Sequence, residues 1–386
     1  MWGRAGLFAL PLVLVAALLE WTLWRSGESW PLGRVAAMQQ AEAAIFLREL
    51  MPQDVQLYKL ERLALSRPRV LVVGSSRTMQ LRAAMLGETT ATFFNAGGTI
   101  DTLGDLGRVL GAVQRPEVIV LGVDSWWFST SSTAAERDPG RDGALDWRAH
   151  VAAGRRLLQR PGQLADLLRG PSAADTRRIG AAALRASAGF RQDGSLRLTF
   201  ARPDASGPWT YVDRETPPVI ERVRAGRLQF LPSTGLDAGR LDRLRGFLAQ
   251  CRARGITVLG FAPPFSAEVV AALSTDDRHR RLTAQFRAAL PATFAAAGFP
   301  FVDATDLREF GLDDRYLVDG FHAGETFHLH LLRRILRHPV AVAVLPGAAA
   351  AVDRLLALPG TDYWYVGGPL TIPGPDGRLF EDPDLR

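Results

Sequence analysis

The sequence predicts an α/β protein, a three-layer α/β/α sandwich with a central parallel sheet, preceded by one N-terminal transmembrane helix. Three observations carry this. Short β-branched runs at 69–73, 118–123 and 256–261 are continuously apolar apart from Arg69 and Thr257, with no polar alternation. Unalternated runs of that kind belong to parallel strands covered on both faces. Segments of helical period separate them, so the connections are right-handed crossovers that place helices on both sides of the sheet. The third observation is the uncharged stretch at the amino end.

That stretch runs from Gly6 to Leu19, is interrupted by Glu20, and resumes with Trp21, Thr22, Leu23 and Trp24. It is about as long as a bilayer crossing requires, roughly 18–19 residues. The two tryptophans suit a headgroup region. The uncharged part alone also has the length of a signal-peptide core, but no small-x-small cleavage site follows it at the right distance. An uncleaved anchor over 1–26 is therefore expected, with a cleaved signal and a buried helix as the alternatives. Arg4 and the amino terminus face Arg25 and Arg34 across the segment, so charge leaves its orientation open.

Residues 27–67 read as a helical stalk, or as a first helix packed on the domain, with an apolar stripe of Val35, Met38, Ala41, Ile45, Leu47 and Leu50. The main domain is expected over 68–345. Phe93-Phe94-Asn95 reads as a short strand between the first two long ones, and 299–303 as a weaker last one. Helices are expected at 101–114, 237–254, 278–298 and 324–337. Between about 129 and 236 the pattern is lost, which is too long for a loop. It reads as an insertion that covers or borders the active site, helical near 147–169 and 173–187, with irregular β structure from Leu196 to Phe230. A C-terminal extension over 346–386 contains a helix at 348–358 and ends Gly/Pro-rich, with Tyr363, Trp364 and Tyr365 packed back on the domain.

Composition excludes several function classes. The chain has 386 residues, 47% of them hydrophobic, enough for a sizeable core. Its net charge of +6 rests almost wholly on arginine, since Lys59 is the only lysine. The arginines are scattered, and no nucleic-acid-binding motif accompanies them. A mild basic surface favours anionic lipid or acidic polysaccharide instead. Cys251 is the only cysteine, so no intrachain disulfide forms. No HExxH or paired-carboxylate motif suggests a catalytic metal, and no cofactor is expected.

The chemistry-bearing residues fall at strand ends. Ser76 follows the first strand in Gly74-Ser75-Ser76-Arg77, and Asp319 and His322 lie in Asp319-Gly-Phe-His322 beyond the last strand. An Asp three residues before a His, meeting a Ser on a tight turn, has the makings of a Ser-His-Asp site. Ser76 could equally be an N-cap, with Ser75 as the other candidate nucleophile, and Asp303 is the backup acid. Asn95, the only asparagine, reads either as a turn former or as support for an oxyanion hole. Arg77 reads as a ligand for an acidic substrate or as half of a salt bridge. Trp126 and Trp127 read as a sugar-stacking platform or as core. His328 and His330 read as structural.

Four blocks in order resemble the SGNH (GDSL-like) hydrolase superfamily. They are Gly74-Ser75-Ser76, Asn95-Ala-Gly97-Gly98-Thr-Ile100-Asp101, Leu121-Gly122-Val123-Asp124 and Asp319-Gly-Phe-His322. The resemblance covers roughly 68–340 without the insertion. It is greatest to the membrane-anchored branch of polysaccharide O-acetylation and teichoic-acid D-alanylation proteins. It implies Ser76 as nucleophile, His322 as base, Asp319 as its orienting acid, and an oxyanion hole from the backbone N–H of Ser76 and one from 97–100, Gly98 or Ile100. It further implies an O-acyltransferase or esterase outside the cytoplasmic membrane, acting on acyl esters of an envelope polysaccharide, with a membrane-bound acyl-donor protein as partner. The alternative is an inactive glycan-binding or assembly subunit. Asp124 stands where the superfamily usually has Asn, and a carboxylate there would repel an oxyanion unless protonated or turned away. On that reading Asp124→Asn should raise hydrolysis.

Overall fold

The computed structural model describes residues 2–51, 55–113, 116–131, 147–186, 188–197, 210–359, 361 and 366. Chain order begins with α1 (Trp2–Arg25), α2 (Leu32–Ala41), β1 (Ile45–Phe46), α3 (Val55–Leu65), β2 (Val70–Gly74), β3 (Phe93–Gly97), α4 (Leu103–Ala112) and β4 (Val118–Gly122). The inserted region holds α5 (Trp147–Gln159), α6 (Pro161–Arg169), α7 (Ala173–Thr176), β5 (Arg178–Ile179), α8 (Ala181–Ala186), β6 (Gly189–Phe190), β7 (Leu196–Arg197) and α9 (Thr210–Ala225). The chain then returns through α10 (Ala238–Ala253), β8 (Thr257–Ala262), α11 (Ala267–Thr275), α12 (Asp277–Ala296), β9 (Phe301–Asp303), α13 (Glu325–Ile335), α14 (Pro339–Val344) and α15 (Ala348–Leu356).

Five strands form an all-parallel sheet in the order β3-β2-β4-β8-β9. The strand side chains alternate between two cores. Leu71, Val73, Ile119, Leu121 and Val258 face α4, α10 and α12, whose Leu106, Leu244 and Phe286 complete that layer. Val70, Val72, Val118, Val120 and Leu259 face α13, α14 and α15 through Phe327, Leu331, Ala341 and Val352. Both faces are covered, which is why the strand runs carry no polar alternation. Chain direction across the sheet reverses between β2 and β4, and in such sheets a crevice opens beyond the carboxyl ends of those strands. The helices begin where the sequence supplies caps. Thr102 and Asp105 form a capping box on α4, and Asp237, Ser266 and Asp276 accept backbone N–H bonds at the starts of α10, α11 and α12.

Two expectations are corrected. Residues 27–67 are not a free stalk. α2 and α3 are separated by β1, which pairs with β5 and β6 in a second, four-stranded sheet of order β5-β1-β6-β7. Val35, Phe46, Tyr58, Ile179 and Phe190 make its core, so the described part of 27–67 packs with the 173–196 part of the insertion. The second correction is α9, a helix where irregular β structure is expected. It spans Pro217 and Pro218, and beyond them Val219, Ile220 and Val223 pack on Phe265, Val269 and Phe321. Burial of that face outweighs the local penalty of the prolines.

The side chains of α1, where the anchor is expected, are described from Ala9 onward. The apolar run is helical, but among the described residues no helix is long and apolar enough to cross a membrane. Leu10–Leu18 are exposed, while Leu23 packs against Leu50, Met51, Ala153 and Leu157. Tyr363, Trp364 and Tyr365 lie outside the described residues.

Candidate active site

Gly74 ends β2 because no larger residue fits. An added Cβ would sit 2.5 Å from Thr78 Cγ2 and 3.1 Å from the Gly122 carbonyl. The chain then tightens into a 3-10 turn over Ser76–Thr78, capped by Ser75, whose Oγ accepts the Arg77 N–H at 3.3 Å. Ser75 is thereby buried as a cap, whereas Ser76 alone on this turn is exposed.

Ser76 Oγ lies 2.9 Å from His322 Nε2. On the other side of the ring, His322 Nδ1 lies 2.7 Å from Asp319 Oδ2. A carboxylate against Nδ1 holds the ring proton there and leaves Nε2 as a lone pair facing the serine hydroxyl. Asp319 is itself fixed, since Oδ1 accepts the N–H groups of Phe321 at 2.8 Å and His322 at 2.6 Å. Burial pushes its carboxyl up, but the bonds and charge of His322 and the two N–H groups outweigh burial and leave it below its ordinary value. The three residues thus meet as the sequence pattern suggests. Asp303 does not take part: its Oδ2 accepts from Arg287 Nε at 2.6 Å and its Oδ1 from Thr305 Oγ1 at 2.6 Å.

The expected oxyanion donors from the second block are spent elsewhere. Gly97 N–H donates to Asn95 Oδ1 at 2.7 Å and Thr99 N–H to the Ala96 carbonyl at 3.3 Å. Gly98 and Ile100 both donate to the Gly74 carbonyl, at 2.9 and 3.3 Å. This follows from the turn after β3, which curls back over the end of β2 with Gly98 at φ 87° and meets the carbonyl there. Of the expected hole, the Ser76 N–H is the group without a partner among the described residues.

Asp124 does not aim at the oxyanion position either. Its side chain is fully buried, and Oδ1 accepts from Arg77 at 2.7 Å. Oδ2 has no partner of hydrogen-bond geometry, although the Ser75 hydroxyl lies near enough to help hold the charge. Burial pushes the Asp124 carboxyl up, and Arg77 opposes that shift.

Arg77 is equally closed to solvent, with 1% of its side chain exposed, so the salt-bridge reading replaces the substrate-binding one. Its guanidinium does more than pair. Nε donates to the Phe321 carbonyl at 2.9 Å and a terminal nitrogen to the Pro264 carbonyl, and the group lies over the Phe265 ring at 4.1 Å. One side chain thus ties the nucleophile turn, the end of β4, the loop after β8 and the residue before His322.

Asn95 acts on the same turn. Its Nδ2 donates to the carbonyls of Thr78 at 2.9 Å and Leu81 at 2.7 Å, while Oδ1 holds Gly97. It is both turn former and brace for the segment after Ser76. Trp127 is 2% exposed and belongs to the core, whereas Trp126 is half-buried against Phe230 and Phe265. His328 is buried with Nδ1 on the Gly324 carbonyl at 2.8 Å, and His330 packs edge-on to Tyr316.

Sequence reasoning missed Lys59. It is buried, with Nζ donating to the carbonyls of Asn95, at 2.7 Å, and of Gly194, and facing the Phe190 ring at 4.4 Å. Burial pushes its ammonium well below its ordinary value, against the pull of Asp193. A single lysine in a chain that otherwise uses arginine was the available signal. Within the insertion, α9 borders the site: Arg222 lies over the Phe321 ring at 5.3 Å, and Phe321 stacks on His322 at 4.1 Å between ring centres.

Among the described residues no group of three or more His, Cys, Asp or Glu is placed to hold a metal ion. The chain matches no protein-family model, no curated protein and no solved structure.

Proposed function

We propose that this chain is a serine esterase or O-acyltransferase. The observation that supports it is the Ser76–His322–Asp319 chain of 2.9 and 2.7 Å contacts, with Ser76 exposed just beyond the carboxyl end of β2. His322 Nε2 takes the Ser76 proton as Oγ attacks an acyl carbonyl, and Asp319 stabilises the imidazolium. Collapse of the tetrahedral intermediate expels the alcohol, which leaves with the proton from His322. A second hydroxyl, from a sugar or from water, then repeats these steps on the acyl-serine and receives the acyl group. The SGNH-like sequence blocks favour acyl esters of an envelope polysaccharide as substrate. They also favour α1 as a single membrane anchor with the domain outside the cytoplasmic membrane, and a membrane-bound acyl-donor protein as partner.

One feature limits hydrolysis. With the 97–100 N–H groups engaged, the Ser76 N–H is the remaining donor of the expected hole. A lost donor costs about 3–4 kcal/mol of transition-state stabilisation in serine enzymes. The same observation favours the second reading, an inactive glycan-binding or assembly subunit. The test is labelling of the full chain with a fluorophosphonate probe, together with turnover of activated acetyl esters. Slow turnover and labelling in wild type, both abolished in Ser76→Ala, are expected. Absence of both in folded wild-type protein would leave the glycan-binding reading.

A further inference from the structure

Helix α5 is apolar on the side that faces solvent. Its inner side buries Ala153, Gly154 and Leu157. On the outer side Trp147, Val151 and Leu158 are 68%, 61% and 55% exposed. They stand at i, i+4 and i+11 of a helix, so they share one stripe, and Arg155 at i+8 lies in it too. Arg148 flanks the stripe, and its guanidinium lies over the Trp147 ring at 5.7 Å. A shallow groove of about 540 Å³ runs along this side between Trp147 and Gln159. The helix has no acidic residue, so the whole face is apolar and cationic.

Its position adds a second observation. α5 is fastened to the last turns of α1: His150 Nδ1 lies 2.7 Å from Glu20 Oε2, and Gly154 seats Leu19 so closely that a Cβ would stand 3.3 Å from it. Leu10 to Leu18, further along α1, stay exposed. The apolar stripe of α5 therefore begins at the foot of the exposed apolar run of α1, at the level of the half-exposed Trp21 and Trp24. Tryptophan, arginine and aliphatic side chains on one helix face are the composition of a helix lying in a lipid headgroup region.

We propose that this face of α5 rests on an anionic phospholipid surface. Trp147, Val151 and Leu158 enter the boundary between headgroups and acyl chains, and Arg148 and Arg155 pair with lipid phosphates. The inference rests on α1 as the membrane anchor, and α5 then sets how the domain sits on the bilayer.

Nitroxide labels at Val151→Cys, Val13→Cys and Asp242→Cys of the full-length chain separate the two claims; the native Cys251 is buried. The chain is reconstituted in phosphatidylcholine vesicles with and without phosphatidylglycerol, and collision with an aqueous nickel chelate is measured. The expected result is shielding of Val13 in both lipids and of Val151 several-fold more with phosphatidylglycerol, with Asp242 open to water. Arg148→Gln with Arg155→Gln should return Val151 toward water and leave Val13 shielded. A shielded Val13 beside a Val151 as open as Asp242 would overturn the proposal and keep the anchor. An open Val13 would overturn both. Val151 shielded equally in neutral vesicles, or in detergent without vesicles, overturns an anionic surface as the occupant and points to apolar insertion or to a protein contact.

Discussion

Arg77 decides more at the candidate site than any residue except the triad itself. Its guanidinium is buried against Asp124, so neither charge is screened by water. Removing one member leaves the other buried and unpaired, which costs about 3–5 kcal/mol. Asp124→Asn is therefore expected to lower the free energy of urea unfolding by that order rather than to raise ester hydrolysis, as its place in the sequence alone suggests. Arg77→Lys keeps the charge but loses the fork that reaches Asp124 and the Phe321 and Pro264 carbonyls together. It should lower kcat for acetyl-ester turnover at least tenfold with little change in KM, because the His322 loop loses its brace. His328 offers a test by pH. Burial pushes its imidazole down to about 4, so it stays neutral in the folded protein where the unfolded chain would take up a proton. That uptake occurs only below about pH 6.5, so its contribution is present above about pH 6.5 and is lost as pH falls toward 4, by roughly 3 kcal/mol at most. Urea unfolding at pH 7.5 and 5 should show that loss in wild type, and His328→Gln should reduce the difference between the two pH values.

At the scale of elements, the site depends on how the segment after β3 meets the turn after β2. Asn95 spends its amide on both sides of that junction. Asn95→Ala would leave the Thr78 and Leu81 carbonyls and the Gly97 N–H without this partner in a buried place. A cost of about 3 kcal/mol or more is expected from chemical denaturation. The turn that carries Ser76 should loosen with it, read as faster hydrogen exchange at 76–81. Helix α9 is the other element that matters, because its Val219, Ile220 and Val223 seat Phe321, the neighbour of His322. Val223→Ala should cost about 1–3 kcal/mol and increase mobility of the His322 loop.

At the scale of the whole molecule, two sheets are joined through Lys59. Helix α3 carries it into the gap between β3 of the parallel sheet and the Gly194 turn of the small one, where it bonds a carbonyl on each side. Lys59→Met keeps the apolar stem but leaves both carbonyls short of a donor. It should destabilise the protein by about 1–3 kcal/mol and raise hydrogen exchange around 189–197, with less change in the parallel sheet. If exchange rose equally in both sheets, the lysine would be a general core residue and not a joint between two units.

The parallel sheet was legible in the sequence because its signal is local. Five apolar runs between helical segments place β2, β3, β4, β8 and β9 within a residue or two. The meeting of Ser76, Asp319 and His322 was legible for a related reason: a parallel sheet brings its strand ends to one edge, whatever lies between them in the chain. What each polar atom does there was not legible. Whether Gly98 and Ile100 offer their N–H groups, and whether Asp124 faces a substrate or Arg77, depends on which partner lies within about 3 Å after folding. The two-residue strands of the small sheet carry too few positions for a period, so β1 could not be matched to β5 and β6 in advance. For α9, the sequence reads as irregular β structure, and only the tertiary packing of Val219, Ile220 and Val223 on Phe321 decides for a helix across Pro217 and Pro218.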